Sequence, residues 1–128
     1  MRLLLDTHVL IWWFLDSPRL PEKIKALIEQ PNASMLVSAA SGWEIATKFR
    51  IERFQEASEL AQDFPYYVRR WGFEPIPITL QHSQVAGLLP TVHKDPFDRM
   101  LAVQSILESL DLISADPALA QLGAKVVW

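Results

Sequence analysis

Arg2-Leu3-Leu4-Leu5-Asp6-Thr7-His8 begins with an apolar run too short for a helix. Residues 2–5 therefore read as a strand buried on both faces, and Asp6 ends it. Met35-Leu36-Val37, Leu112-Ile113 and Lys125-Val126-Val127 share the pattern. Segment 74–78 is a weaker strand, restricted to a sheet edge by Pro75 and Pro77. Helical patterns fill the intervals. Residues 21–29 place Ile24, Leu27 and Ile28 on one face, and Pro31 closes them. Segment 41–50 follows the second strand, 57–71 runs up to Gly72, and 79–88 starts at Thr79 and stops before Pro90. Segment 96–110 carries Met100, Val103, Leu107 and Leu110 as an apolar stripe, and 117–122 ends at Gly123. Buried strands alternating with helices predict an α/β fold, with a mostly parallel sheet covered on both faces.

With 128 residues and no repeat, linker or low-complexity run, the chain reads as one domain, 1–128. Half of it is apolar and 21% is charged, as in ordinary globular proteins. The absence of cysteine excludes disulfides and thiolate metal sites, and suits a reducing compartment. Stretch 3–15 is interrupted by Asp6 and His8 and lacks a small-residue cleavage site. Neither a secretion signal nor a membrane span is expected, and the expected location is cytoplasmic. A net charge of −3 argues against holding nucleic acid by a broad basic surface. Acids gathered at one site would bias that count, and bound divalent cations would reverse the local field.

The acids fall at informative places. Asp6 ends the first strand, Glu44 lies in the first turn after the second, and Asp116 follows Leu112-Ile113. Asp95 and Asp98 open the long helix that leads back to that strand. In a parallel layer, strand C-termini and helix N-termini share one edge, so all five should line the rim where ligands of open α/β sheets bind. Each also has an ordinary structural explanation. Ser41-Gly42-Trp43-Glu44 fits a capping box, and Asp95-Pro96 and Asp116-Pro117 fit capping aspartates with proline in the first turn. Asp6 could cap the helix after it, and Glu44 could pair with Lys48 one turn on. Capping does not demand an acid at every opening, however, since Ser, Thr and Asn serve as well. Three or four carboxylates at one rim do not all stay ionised without cations between them. Oxygen donors, with no cysteine and no histidine pair at ligand spacing, suit Mg²⁺ or Mn²⁺ rather than zinc. Such ions activate water and stabilise both oxygens of a phosphodiester displacement, which is nuclease chemistry.

Four blocks carry a resemblance: Leu4-Leu5-Asp6-Thr7-His8, Ser38-Ala39-Ala40-Ser41-Gly42-Trp43-Glu44-Ile45, His93-Lys94-Asp95-Pro96-Phe97-Asp98-Arg99 and Ser114-Ala115-Asp116. Together, in this order, they resemble PIN-domain proteins, and within them the VapC-type toxins of prokaryotic toxin–antitoxin pairs that bear an H-x-D-P-F-D-R motif. The resemblance implies a three-layer α/β/α sandwich and Mg²⁺- or Mn²⁺-dependent cleavage of RNA by a water nucleophile, leaving a 5′-phosphate. It carries three core metal-binding acids onto Asp6, Glu44 and Asp98, and a fourth, more variable one onto Asp116. Asp95 is specific to this branch, as a cap, a supporting group or a ligand. The resemblance further implies a VapB-like antitoxin, whose basic side chain reaches the acids, and a homodimer.

Thr7 either adds a hydroxyl near the metal or simply turns the chain out of the strand. His8 is expected to pack beneath the rim, and His82 and His93 to be surface residues or caps. Arg99, Lys48 and Arg50 are candidates for RNA phosphates, with Arg99 foremost, although it could equally tether a carboxylate. Trp12, Trp13 and Phe14 read as core packing, with any exposed part free for a subunit interface. Two rival functions fit less well. A phosphatase using Asp6 as covalent nucleophile needs an acid two residues on, where His8 stands. A PIN-like module that binds RNA or a partner without cutting remains the non-catalytic alternative.

Overall fold

The computed structural model describes residues 1–128. Its strands are β1 (Arg2–Leu5), β2 (Ser34–Ser38), β3 (Glu74–Ile76), β4 (Asp111–Ile113) and β5 (Val126–Val127). They form one parallel sheet in the order β3-β2-β1-β4-β5. The first strand is thus the central one, with Leu4 beside Leu36 on one side and Leu112 on the other. Leu3, Leu4 and Leu5 are completely buried, as a strand covered on both faces requires.

The helices are α1 (Thr7–Leu15), α2 (Glu22–Glu29), α3 (Ala39–Arg50), α4 (Ser58–Gln62), α5 (Phe64–Arg70), α6 (Leu80–Leu88), α7 (Pro96–Leu107) and α8 (Pro117–Gln121). The two-residue alternation of β1 sorts them into layers. Leu3 and Leu5 pack with Val9 and Leu10 of α1, Ile24 and Ile28 of α2 and Val68 of α5. Leu4 faces the other way, onto Leu101 and Ala102 of α7 and Leu119 of α8. The result is a three-layer α/β/α sandwich. Truncating a central leucine such as Leu4 to alanine should cost about 2–5 kcal/mol. A smaller cluster of Ile11, Ile45, Ala57 and Leu60 seats α3 against α1 and α4.

Several boundaries differ from the sequence reading. The expected 57–71 helix is a short 3-10 turn (Gln55–Ala57) followed by α4 and α5. Asp63 leaves helical geometry (φ −143°, ψ 47°) just before Pro65, whose ring and missing N–H prevent a helix running through. The 96–110 helix ends at Leu107, beyond which Ser109 takes a left-handed conformation. Its buried residues are Leu101, Ala102, Val103, Gln104 and Ser105; of the expected stripe Val103 and Leu110 are buried, while Leu107 is 36% exposed. The aromatic run of α1 packs inward, Trp13 on Phe73 and Phe14 on Tyr67.

The connection leaving β1 runs to β2 on one side, and that leaving β4 runs to β5 on the other. The C-terminal ends of β1 and β4 therefore flank the topological switch point, where such sheets open a crevice.

Candidate active site

Asp6 stands at that crevice and is 4% exposed. It occupies the cap position of α1, yet its side chain caps nothing. Its Oδ2 instead accepts a 2.6 Å hydrogen bond from Ser114 Oγ at the end of β4, while its N–H donates to the Ile113 carbonyl. Ser114 Oγ also accepts from the Asp116 N–H at 3.0 Å, linking the two acidic strand ends. Burial raises the Asp6 pKa above 3.8 and the Glu44 charge adds to the rise; the Ser114 bond and His8 oppose it.

Helix α3 begins at Ala39, with Ser38 Oγ accepting from the Ala40 N–H at 3.0 Å. The expected capping box at Ser41 is therefore corrected. Ser41 lies inside the helix and shares a buried 2.9 Å hydrogen bond with Thr7 Oγ1, pinning the starts of α1 and α3 together. Thr7 is thus engaged with a neighbouring hydroxyl. Glu44 moves to the second turn, free of any cap, buried to 2% exposure and paired with the Lys48 ammonium.

Asp98 projects from the first turn of α7, and its Oδ2 lies 3.0 Å from His93 Nε2. Burial pushes its pKa from 3.8 to about 6, the charges of Asp95, Asp6 and Glu44 adding to the rise and the His93 bond opposing it. Asp95 is a cap, its Oδ1 accepting from the Phe97 and Asp98 N–H groups at 2.9 and 3.2 Å. Asp116 is exposed and likewise caps, accepting from the Ala118 N–H at 2.9 Å.

The remaining polar residues are placed as follows. The Arg99 guanidinium donates to the carbonyls of Ala86, Gly87, Leu89, Thr91 and His93. It binds the α6–α7 connection together and with it the backbone of His93. His8 is exposed rather than packed beneath the rim, with its ring against Phe54 and Trp12. His82 is 2% exposed and forms a reciprocal capping box with Thr79. His93 is neither surface residue nor cap, because it holds Asp98. Sequence reasoning missed the parts played by Ser114 and His93. A hydroxyl at the end of one strand beside an acid at the end of its neighbour was the available signal for the first.

Asp6, Glu44 and Asp98 arrive from three elements; the Glu44 charge raises the proton affinity of both aspartates, and that of Asp6 raises the affinity of Asp98. As the side chains stand, no three Asp, Glu or His groups are drawn together tightly enough to share one ion. Each core acid is turned to a protein partner: Asp6 to Ser114, Glu44 to Lys48 and Asp98 to His93. The donor chemistry still fits a hard divalent cation, since it is mainly carboxylate oxygen and the buried charges lack sufficient compensation. A cavity of about 530 Å³ lies elsewhere, lined by Phe64, Pro65, Val68, Pro75 and Pro77 among others and by none of these acids.

Helices on both faces of a parallel sheet, with buried carboxylates at its switch point, define an α/β/α domain organised around an acidic rim. The sequence profile of the PIN domain matches residues 3–125, and the chain belongs to the PIN-domain family. It is similar to Ribonuclease VapC16 of Mycobacterium tuberculosis, with 32% identity over 59 residues, 46% of this chain. The matched stretch spans only 42% of that relative's length. Among solved structures, the chain resembles one in the VapBC2 complex of Rickettsia felis, which was determined bound to a promoter DNA fragment. The TM-score is 0.73 at 16% identity, covering 100% of this chain and 99% of that one. A toxin–antitoxin complex from Klebsiella pneumoniae gives 0.69 at 19% identity, covering 98% and 96%. Identities this low establish the shared fold.

Proposed function

We propose that this chain is a Mg²⁺- or Mn²⁺-dependent endoribonuclease, the toxin of a toxin–antitoxin pair. The observation that carries the reading is the meeting of Asp6, Glu44 and Asp98 at the switch point, where burial and mutual repulsion raise the pKa of Asp6 and Asp98. Asp6, Glu44 and Asp98 would hold the ion, with Asp116 beside them on the rim. A bound ion supplies an activated water and compensates charge on the phosphodiester undergoing displacement. Ser114 fixes one oxygen of Asp6. His93 orients Asp98, and Asp95 fixes the helix start on which Asp98 rides. Lys48, held on Glu44, is the cation best placed to meet an RNA phosphate. Arg99 acts as a positioning residue, through the carbonyls it gathers.

The name of the VapC16 relative and the toxin–antitoxin assemblies among the structural neighbours support a VapB-like antitoxin as partner. An antitoxin arginine would satisfy the acids by bidentate pairing and exclude the metal. No helix is long and apolar enough to cross a membrane, in keeping with a cytoplasmic enzyme. The exposed Leu80, Leu88 and Val92 offer apolar surface for a homodimer. The test is RNA cleavage with Mn²⁺, with chelator, and with Asp6→Asn. Cleavage that needs both the metal and Asp6 is expected; a folded chain that binds RNA without cutting it is the non-catalytic module instead. Expression alone should arrest growth, and Asp6→Asn should relieve the arrest.

A further inference from the structure

The acidic rim stands inside an arc of rings. On one side Trp43, 61% exposed, meets Phe97 edge to face, with centroids 5.0 Å apart and planes at 78°. On the other, Phe54 meets His8 at 5.7 Å, and His8 continues to Trp12 at 6.1 Å. The Lys48 ammonium spans the gap, 5.4 Å from the Phe54 centroid and 5.9 Å from that of Phe97. Trp43 directly precedes Glu44 and Phe97 directly precedes Asp98, so the helices that deliver the acids also deliver the rings. Phe54 holds a left-handed backbone (φ 55°, ψ 36°), a costly conformation for a bulky side chain and one that concentrates at functional sites. Nothing in the core requires a tryptophan at position 43, because most of its surface meets solvent.

We propose that these rings form a stacking track for the bases of single-stranded RNA on both sides of the cleaved phosphodiester, with Trp43 as the principal base contact. The track rests on the ribonuclease reading above and names the side chains that hold the bases. Only an unpaired base offers both its faces, and stacking tolerates any sequence because every base has a π-face. A chain with net charge −3 gains little from counterion release, so aromatic contact supplies binding that a basic surface would give elsewhere. Lys48 places a single cation at the middle of the arc, where the backbone must pass the acids.

The test uses the full chain carrying Asp6→Asn, with Mn²⁺, and a fluorescently labelled RNA of about 12 nucleotides, single-stranded or as a duplex. Anisotropy is read for this parent and with Trp43→Ala, Trp43→Leu or Trp43→Phe added. The parent should bind the single strand about tenfold more tightly than the duplex. Alanine and leucine should each weaken single-strand binding about tenfold, the scale of one lost stack, whereas phenylalanine keeps most of it. Because Trp43 is largely exposed, circular dichroism should be unchanged in all three. Equal single-strand affinity of the parent, alanine and leucine forms overturns the track and leaves Trp43 to a protein partner, as does a parent that binds no RNA. Cleavage by the native chain, measured alongside, separates the two readings. Its absence sinks the ribonuclease and the track together; intact cleavage with binding indifferent to Trp43 sinks the track alone.

Discussion

Asp6 before α1 and Asp95 before α7 occupy the same backbone position, with extended dihedrals of φ −64°, ψ 151° and φ −64°, ψ 112°. Asp95 spends one oxygen on two amides of its own helix, as a capping aspartate does. Asp6 leaves the amides of α1 without a side-chain cap and turns to a serine on another strand, inside the protein. A buried carboxylate is expensive, and Asp6 makes no two-amide cap of the kind that compensates Asp95. Identical placement therefore conceals opposite use, and the expensive use falls on the residue to which the proposed chemistry is assigned.

The largest expected effect breaks this comparison at the level of activity. Asp6→Asn and Asp98→Asn should each lower RNA cleavage by more than the roughly 100-fold upper figure for groups one step from a metal. Asp95→Asn keeps an acceptor for the cap and should cost less than about tenfold; equal losses in a cleavage time course would erase the distinction. Ser114→Ala should lie between, about 10–100-fold down, because it frees the Asp6 carboxylate without removing it. A Mn²⁺ titration of the variant's activity would show whether the loss is one of metal affinity.

Stability effects are smaller. Mn²⁺ at ten times its dissociation constant should stabilise the chain by about 1.4 kcal/mol, roughly 3–6 °C in melting temperature, and Asp6→Asn should abolish the shift. Without metal, the pH dependence follows from Asp98, whose folded pKa is raised from 3.8 to about 6. The native state holds that proton more tightly, so the contribution is fully present below 3.8 and is lost as pH rises through about 6. Denaturant melts in chelator should thus weaken over this window, and Asp98→Asn should flatten the trend. Least of all, Asp95→Ala should cost about 1 kcal/mol as the lost cap of α7, visible in the same melts.

The order of strands and helices was legible because Leu3 to Leu5, Met35 to Val37 and Leu112-Ile113 are buried runs, and burial leaves a local imprint. The positions of Asp6 at the end of β1 and Asp98 in the first turn of α7 were legible as well, whereas Glu44 was placed one turn too early. What each carboxylate does was not legible. Glu44 looked like half of a capping box because Ser41 stands three residues before it, but Ser38 already starts the helix. Pro65 gave a visible sign that 57–71 would break, and the apolar spacing masked it. His93 and Ser114 drew little notice because their partners are set by tertiary packing, and 108 positions separate Ser114 from Asp6.

That last separation also sets a schedule. The ribosome makes β1 well before the strand that flanks its acidic end on the other side of the crevice, and before the hydroxyl that holds Asp6. At about 5–20 residues per second, roughly 5–20 s pass between synthesis of Asp6 and synthesis of Ser114. During that interval the nascent chain carries its acids without the neighbour that orders them. On the proposed nuclease reading, products that stop short of Ser114 lack the bond that orders Asp6.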